Sequence, residues 1–285
     1  MSVIEKCISV SEKKNLAPAV MLFERHPLYD ISGKAPDALL TQTQRNEILS
    51  SLGVKIIRVS FPEIRSMAAE QFVKAILIKN GAEAVCCGFN YRFARDRQGD
   101  PDTLKAICTE YGIEAFVLDA YMLDGAVVSS TAIRAALKSG ETERANEMLG
   151  RPFGYTLPVV HGDRRGTGMG FPTANQIFPD GLIVPKYGVY ASMAQVNGKA
   201  YPSVTNIGIR PTVGSNVLLS ETNIIGFSEN IYGQDITVRL LSYLRGETTF
   251  PDFEALSRQI ADDAAQALKI YDEGIGEKIG RNKKE

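Results

Sequence analysis

The chain has 285 residues, of which 32 are basic and 33 acidic, so its formal net charge is −1. At roughly 150 residues per domain, this length predicts two domains of ordinary globular size. Hydrophobic residues make up 44% and charged residues 23% of the sequence, which excludes a disordered, collagen-like or membrane-embedded chain. The near-neutral charge, with no basic patch among interleaved aromatic residues, argues against a nucleic-acid partner.

The N-terminal stretch and the reactive residue types narrow the class of protein further. Residues 1–14, MSVIEKCISVSEKK, lack the apolar core of a secretory signal, and no apolar run approaches the ~20 residues of a transmembrane helix. We therefore expect a cytoplasmic protein with no membrane partner. The cysteines are Cys7, Cys86, Cys87 and Cys108, which form no CxxC pair and are predicted to be buried free thiols. With His26 and His161 as its two histidines, the chain is not expected to hold a histidine metal site or a Ser-His-Asp triad.

Residues 2 to about 150 alternate strand-like and helix-like segments, which is the pattern of a parallel α/β sheet. Strands are predicted at residues 19–23, 55–60, 84–87 and 114–118, and helices at 41–52, 67–79, 102–111 and 130–139. The hydroxyl residues at the start of the last helix can cap its N-terminus. Gly150 and Pro152 mark the predicted domain boundary.

Beyond Gly154, short alternating stretches separated by Gly, Pro and Asn predict an antiparallel barrel or sandwich. Its clearest strands are residues 187–196, 199–205, 217–227 and 235–245. A helix over 253–271 carries apolar residues at helical spacing and is predicted to pack against the barrel. Residues 276–285 form a charged tail that we expect to be solvated.

The stretch 161–175, HGDRRGTGMGFPTAN, is the most informative part of the sequence. Glycines at positions 162, 166, 168 and 170 let the backbone approach a ligand and point its amides at it, as in phosphate-binding loops. Thr173 and Asn175 offer the oxygen ligands that Mg²⁺ prefers. The stretch therefore predicts a phosphate and metal site, and the alternative is a structural glycine-rich hairpin with an Asx turn.

This stretch resembles the signature of riboflavin kinases, which phosphorylate the ribityl 5′-hydroxyl of riboflavin with MgATP. The resemblance continues in the family's order through YGVY at 187–190, NIGIRPT at 206–212, ET at 221–222 and IYG at 231–233. It covers residues 153–272 and implies a β-barrel kinase domain that takes riboflavin and ATP, forms FMN and uses Mg²⁺.

The same resemblance implies roles for individual residues. Thr173 and Asn175 would hold Mg²⁺ and the β- and γ-phosphates of ATP, and Glu221 matches the family's catalytic carboxylate. A carboxylate within hydrogen-bond reach can orient a primary alcohol and accept its proton during phosphoryl transfer. The other residues expected around the cofactor are Gly162, Arg165, Gly166, Gly168, Gly170, Phe171, Pro172 and Arg210.

Arginine and aromatic residues near these motifs are further candidates for contacts with the phosphates and the flavin. The arginines expected to steer phosphates are Arg164, Arg165 and Arg210, and the candidate flavin contacts are Phe171, Tyr187 and Tyr190. Each of these aromatic residues is, by itself, more typical of a core position. Asn223 and Gly226 stand where the family commonly has a histidine and an aspartate, which bears on substrate contacts and not on the type of reaction.

In the first half, three segments resemble the FMN adenylyltransferase module of the bacterial bifunctional riboflavin kinase/FMN adenylyltransferase (FAD synthetase) family. They are FERHP at 23–27, GFNYRF at 88–93 with Gly99 and Asp100, and SSTAIR at 129–134. The last segment would lie at a helix N-terminus beside the nucleotide phosphates. The residues implied in nucleotide binding are Asn90, Arg92, Ser129, Ser130, Thr131 and Arg134.

The family's opening strand and its GxFDGxHxGH turn have no counterpart in this sequence. Residues 2–14 resemble the helix that follows the turn, so that Met1 stands about where the last residues of the turn belong. We therefore expect an incomplete, Rossmann-like nucleotidyltransferase domain whose sheet lacks its first strand, with unpaired edges and impaired adenylyl transfer. A mis-assigned start codon in a longer, bifunctional protein would explain this pattern.

The sequence thus predicts an incomplete adenylyltransferase-like domain at 1–150, a riboflavin kinase domain at 153–275 and a tail at 276–285. The predicted function is the phosphorylation of riboflavin to FMN. The alternatives are a bifunctional enzyme that also makes FAD, and a non-catalytic regulator that binds a flavin or a nucleotide. Glu221, together with Thr173 and Asn175, favours catalysis, because a protein that only binds has no need of a base. The oligomeric state stays open.

Overall fold

The structure, a computed structural model, describes residues 2–161, 173–212 and 215–281. The chain divides into two compact units. One is formed by Met1–Pro36 and Arg45–Val128, and the other by Asp37–Gln44 and Ser129–Glu285. The domain boundaries expected from the sequence near residues 150 and 153 stay predictions.

The first unit contains two separate two-stranded parallel sheets. β1 (Ala19–Phe23) pairs with β2 (Lys55–Val59), and β3 (Ala84–Gly88) pairs with β4 (Glu114–Leu118). A short antiparallel hairpin of β5 (Met122–Leu123) and β6 (Ala126–Val127) follows. Among the residues that the structure describes, no ladder joins β1 to β3. The parallel pairing of these strands agrees with the expected α/β character of this part of the chain.

The helices up to residue 128 are α1 (Ser2–Lys14), α2 (Pro27–Ser32), α3 (Gln42–Ser51), α4 (Phe61–Ile64), α5 (Ala69–Phe72) and α6 (Pro101–Glu110). The helix predicted over 67–79 is present as α5, continued by a π-helical turn (Val73–Leu77) and a 3₁₀ turn (Ile78–Asn80). Phe72 and Val73 are 2% and 0% exposed and belong to the core of this unit. The sequence thus predicted a helix here but not the change of helix type.

The four thiols of the chain all lie in this unit. Cys87 and Cys108 are buried, Cys7 and Cys86 are half-buried, and all four are free. Desolvation by burial is the main cause that raises the pKa of Cys86 and of Cys108 from 9.0 to about 11. The expectation of buried free thiols is therefore confirmed for Cys87 and Cys108 and holds in part for the other two.

We expect Cys86 and Cys108 to react slowly in the folded chain. Because the thiolate is the nucleophile, a pKa of about 11 instead of 9.0 lowers the reactive fraction at pH 8 about 100-fold. Iodoacetamide labelling followed by peptide mass spectrometry should show this ratio between native and urea-unfolded chain, and equal rates would contradict it. The raised pKa also stabilises the fold below pH 9.0, a contribution that is lost as the pH rises towards about 11.

The described residues of the second unit form one six-stranded antiparallel sheet. Its strands are β7 (Phe153–Pro158), β8 (Thr173–Ile177), β9 (Gly188–Val196), β10 (Lys199–Thr212), β11 (Ser215–Ile224) and β12 (Asp235–Arg245), in the order β7-β12-β9-β10-β11-β8. The sheet curls into a half-barrel whose edges meet. The Val160 amide donates to the Asn175 carbonyl at 2.8 Å, and the Gln176 side-chain amide donates to the Leu157 carbonyl at 2.6 Å. The predicted antiparallel barrel fold is thus confirmed.

The buried face of the half-barrel carries a ladder of hydroxyl groups. Ser192, Ser203, Thr205 and Thr222 are all 0% exposed. Their side-chain oxygens are linked at 2.8 to 2.9 Å across β9, β10 and β11. Because each hydroxyl has a partner, these polar groups can be buried without a large penalty. These side-chain hydrogen bonds link β9, β10 and β11 in addition to the backbone hydrogen bonds of the sheet.

Three further helices lie in the described part of the second unit, namely α7 (Ser130–Ser139), α8 (Thr142–Leu149) and α9 (Phe253–Arg281). The N-terminus of α7 is capped as predicted, since Oγ of Ser129 accepts from the Ala132 amide at 3.2 Å. α8 was not predicted, and α9 extends beyond the predicted end at Tyr271. α9 packs on the sheet through its buried residues Asp263 and Ala267, which are 2% and 0% exposed.

Candidate functional site

The residues expected to hold the metal and to act as the base lie on neighbouring strands of the half-barrel. Asn175 on β8 is directly opposite Glu221 on β11, and Asn206 on β10 is opposite Glu221 from the other side. Directly opposite residues point to the same face of a sheet, so these three side chains form one row, here called the polar row. Thr173 stands two residues before Asn175 on β8 and therefore shares this face.

The Arg210 side chain bridges two members of the polar row. Its Nη2 donates to Oδ1 of Asn175 at 3.1 Å and to Oε1 of Glu221, with which it forms an ion pair. The arginine and glutamate side chains are 25% and 34% exposed, whereas Asn175 is 4% exposed. A ligand can therefore reach the charged members of the site, while the amide is held inside the sheet.

Asn206 belongs to the polar row but was not among the residues predicted to form the site. Its Oδ1 is buried and accepts no hydrogen bond from the part of the chain that the structure describes. A buried oxygen without a donor is destabilising, so a ligand that brings a donor is favoured at this point. The motif NIGIRPT contains Asn206, yet only the strand register shows that it faces Glu221.

A second carboxylate lies against the strand that carries Asn206 and Arg210. Gly208 stands between these two residues, and a Cβ built on it would lie 2.3 Å from Oε1 of Glu247. The absence of a side chain at Gly208 therefore lets the carboxylate pack on β10. Glu247 was also missed by the sequence pattern, because it follows β12 and is distant in sequence from every recognised motif. With Glu221, it places two negative charges on this face, which favours a cationic ligand.

The glycine-rich stretch lies mostly outside the described residues. Predictions that fall on residues 162–172 stay predictions, namely those for Gly162, Arg164, Arg165, Gly166, Gly168, Gly170, Phe171 and Pro172. The flanking residue His161 places its ring centroid 4.0 Å from that of Tyr232. On the other side the stretch leads directly into β8, so that Thr173 and Asn175 lie on a strand.

The residues expected at the N-terminus of α7 are brought together there. Ser129, Ser130 and Thr131 are exposed, and Ser129 caps the helix. The Nε of Arg134 donates to the Asp37 carbonyl at 2.6 Å, so this arginine is bonded to the backbone of its own unit. The hydroxyl groups are thus available to a ligand at a helix N-terminus, whereas Arg134 already has a partner.

Asn90 and Arg92 belong to the first unit, in the segment that follows β3. Arg92 donates from Nη1 to the Tyr91 carbonyl at 2.8 Å. Nearby, Asp100 accepts from the Thr103 amide at 2.8 Å and from its hydroxyl at 2.7 Å, which caps α6. These hydrogen bonds, with a smaller effect of the Arg92 charge, hold the pKa of Asp100 below its usual value.

Of the candidate flavin contacts, the two that the structure describes are a core residue and a surface residue. Tyr190 is 0% exposed and donates its hydroxyl to the Lys186 carbonyl, so its role in this structure is packing. Burial also raises its pKa above the usual value. Tyr187 is 42% exposed and lines a cavity of about 380 Å³. The other lining residues of that cavity are Asp37, Lys138, Val184, Pro185 and Lys186.

Comparison with known proteins finds relatives for both halves of the chain. The family model described as riboflavin kinase matches residues 149–271, and the model described as FAD synthetase matches residues 1–132. The bifunctional riboflavin kinase/FMN adenylyltransferase of Bacillus subtilis is 33% identical over 283 residues, covering 94% of this chain and 87% of that protein. The protein of the same name from Escherichia coli strain K12 is 33% identical over 264 residues, covering 91% of this chain and 84% of that protein.

A solved structure has a similar fold. The crystal structure of a macrolide-efflux protein from Streptococcus pneumoniae matches with a TM-score of 0.85 at 27% sequence identity. The match covers 94% of this chain and 88% of that one. None of the described helices has the length and apolar character needed to cross a membrane.

Proposed function

This chain belongs to the bifunctional riboflavin kinase/FMN adenylyltransferase family, and from that premise we propose that its second unit transfers the γ-phosphoryl group of ATP to the ribityl hydroxyl of riboflavin. The family relation supports the reaction class, and the polar row supports where the chemistry occurs. The observation that carries the proposal is the register that sets Asn175 directly opposite Glu221 on adjacent strands. The cytoplasmic location expected from the sequence stays part of this proposal.

The oxygen donors at one end of the polar row fit a divalent cation. Mg²⁺ is typically held by one or two protein oxygens together with substrate phosphates. Oδ1 of Asn175 already faces a cation, the guanidinium of Arg210, and Thr173 lies on the same face. In the described ranges, no group of three or more His, Cys, Asp or Glu side chains could hold a metal by itself. We assign Thr173 and Asn175 as protein ligands of a Mg²⁺ ion that binds with ATP.

Glu221 is the group that we assign as general base. A primary alcohol is a weak nucleophile, and a carboxylate within hydrogen-bond reach orients it and accepts its proton as the phosphoryl group is transferred. The ion pair with Arg210 engages Oε1, so we assign Oε2 to the substrate hydroxyl. Bound Mg²⁺ would supply charge neutralisation at the phosphates. Asn206, whose buried Oδ1 has no donor among the described residues, is placed to accept a second substrate hydrogen bond.

The glycine-rich stretch would complete the nucleotide site. We assign to it backbone amides that face the phosphates, because it leads directly into the strand of Thr173 and Asn175. The residues in this role are Gly162, Arg165, Gly166, Gly168, Gly170, Phe171 and Pro172. By their resemblance to the adenylyltransferase module, six further residues are assigned to nucleotide binding, namely Asn90, Arg92, Ser129, Ser130, Thr131 and Arg134.

We also propose that this 285-residue chain makes FMN much faster than it makes FAD. The sequence contains His26 and His161 as its histidines and no HxGH segment, so the histidine pair of the adenylyltransferase resemblance is absent from it. In addition, β1–β2 and β3–β4 remain separate sheets within the described residues. Loss of a positioned group that stabilises charge in the transition state typically slows a reaction by about 10²- to 10³-fold, so we expect FAD formation to be slower than FMN formation by roughly 10²-fold or more.

The test is to incubate the purified chain with riboflavin, ATP and Mg²⁺ and to separate the flavins by chromatography. FMN is expected to accumulate, with little FAD, and a reaction without riboflavin is the control. Failure to form FMN by a folded chain would overturn the kinase proposal. FAD formation from FMN at a rate similar to that of FMN formation would overturn only the proposal of slow adenylyl transfer.

A further inference from the structure

Arg210 engages two of the side chains on which the proposed reaction depends. Its Nη2 donates to Oδ1 of Asn175, the assigned metal ligand, at 3.1 Å, and it also donates to Oε1 of Glu221, the assigned base. A single cationic group therefore stands where a metal ion has to bind. Arg210 and Glu221 are partly exposed, with 25% and 34% of their side chains open to solvent, so solvent and ligands can compete for the pair.

The strand register shows that this contact requires extended side chains. Arg210 is directly opposite Val217, and Glu221 is four residues further along β11. At about 3.3 Å per residue, the two positions are separated by roughly 13 Å along the strands, so both side chains must reach towards each other. Gly208 lies between them on β10 and presents no side chain of its own. Holding two long side chains extended costs conformational entropy, which makes the contact easy to exchange for a better one.

Nucleotide phosphates would be a better partner for this guanidinium. A metal ion at Oδ1 of Asn175 would repel the arginine at short range, while phosphate oxygens offer bidentate, fully charged acceptors. Building on the proposed function, we infer that Arg210 is a positioning residue that occupies the cation site of the nucleotide-free enzyme and moves to the nucleotide phosphates when the metal binds. The metal displaces Arg210 from Asn175 and so frees it for the phosphates, and the phosphates draw Arg210 away from the metal site. Metal and nucleotide therefore favour each other's binding.

The experiment measures Mn²⁺ binding to the full chain by electron paramagnetic resonance, with and without a non-hydrolysable ATP analogue. In the absence of nucleotide, Arg210→Gln is expected to bind Mn²⁺ about tenfold more tightly than the unsubstituted chain, because no cation competes for Asn175. The analogue should then tighten Mn²⁺ binding about tenfold less in the variant than in the unsubstituted chain. The matched control is Arg258→Gln on α9, whose side chain is 71% exposed and should change neither value.

Unchanged Mn²⁺ affinity in nucleotide-free Arg210→Gln, or weaker affinity, would overturn the inference, as would the absence of Mn²⁺ binding in every form. Circular dichroism checks that Arg210→Gln folds. If it does not, Arg210→Lys is measured in its place. Lysine keeps the positive charge, so nucleotide-free Mn²⁺ binding should stay as weak as in the unsubstituted chain, while KM for ATP should rise. A KM for ATP in Arg210→Lys no higher than that of the unsubstituted chain would overturn the inference.

Asn175→Ala separates this inference from the function on which it rests. Loss of Mn²⁺ binding in Asn175→Ala, with no effect of Arg210→Gln, would leave the proposed metal site standing and remove only the role of Arg210. Unchanged Mn²⁺ binding in Asn175→Ala in the presence of the analogue would remove the proposed metal site itself, and with it the inference.

Discussion

Glu221→Gln is expected to lower kcat for FMN formation by about 10²- to 10⁴-fold, which is the usual contribution of a positioned general base. The substitution keeps the size of the side chain and removes its ability to accept a proton. Since the base acts in the transition state, kcat and kcat/KM should fall together, while KM for riboflavin and ATP changes little. The measurement is steady-state kinetics with chromatographic detection of FMN.

The matched control for this substitution is Glu229→Gln. Glu229 is an exposed residue of the same unit, eight positions further along the chain, and lies outside the polar row. Its substitution should leave kcat unchanged, and thermal unfolding followed by circular dichroism should show that both variants fold. A loss of less than about tenfold in folded Glu221→Gln would show that proton transfer to this carboxylate is not the assigned step.

Asp263→Ala is expected to destabilise the second unit by about 3 to 5 kcal/mol, the range measured when one partner of a buried ion pair is removed. Asp263 on α9 is 2% exposed and accepts from Arg245, at the end of β12, at 2.7 Å from Nη2 and at 3.1 Å from Nε. Gln259 donates to the same carboxylate at 2.9 Å. The substitution leaves the guanidinium, whose side chain is only 22% exposed, without its partner carboxylate.

Urea unfolding followed by far-ultraviolet circular dichroism measures this loss, and hydrogen exchange of peptides from β12 assigns it to the second unit. The control on the same helix is Glu254→Gln, whose partner Arg258 lies 3.8 Å away with both side chains more than two-thirds exposed. That substitution should change the free energy of unfolding by no more than about 0.5 kcal/mol.

A double variant tests whether the isolated charge causes the loss. Arg245→Met combined with Asp263→Leu removes both charges and fills a similar volume, so it should recover most of the stability lost in Asp263→Ala. A loss below about 1 kcal/mol in Asp263→Ala would show that the ion pair does not hold α9 on the sheet.

Most regular elements could be predicted because their side chains repeat with the period of a helix or a strand. β1 and β4 have the predicted bounds, and α9 begins at the predicted residue Phe253. β7 was missed because FGYTLP is buried on both sides of the strand, so it shows no alternation between apolar and polar residues. β8 was missed for the opposite reason, since TANQI is polar and is buried through its hydrogen bonds.

The residues of the proposed site could be named from the sequence, whereas their geometry could not. The motifs identified Thr173, Asn175 and Glu221 as chemically suited to a metal and a base, and the structure places them on adjacent strands. Asn206 and Glu247 carried no local signal for a place in the site. Their positions depend on the ladder of β10 and β11 and on the path of the chain after β12.

The sequence by itself therefore determined the two kinds of fold, most of the elements and the residue types that can bind phosphate and metal. These properties depend on short-range periodicity and on side-chain chemistry, and both can be recognised from the order of residues in the sequence. Only the tertiary structure decided that Asn175 faces Glu221 and that Arg210 bridges them. It also decided that Asn206 lies beside them with an oxygen that accepts no hydrogen bond from the described residues. The reason is that strand register and chain path set which distant residues meet, and neither leaves a periodic trace in the sequence.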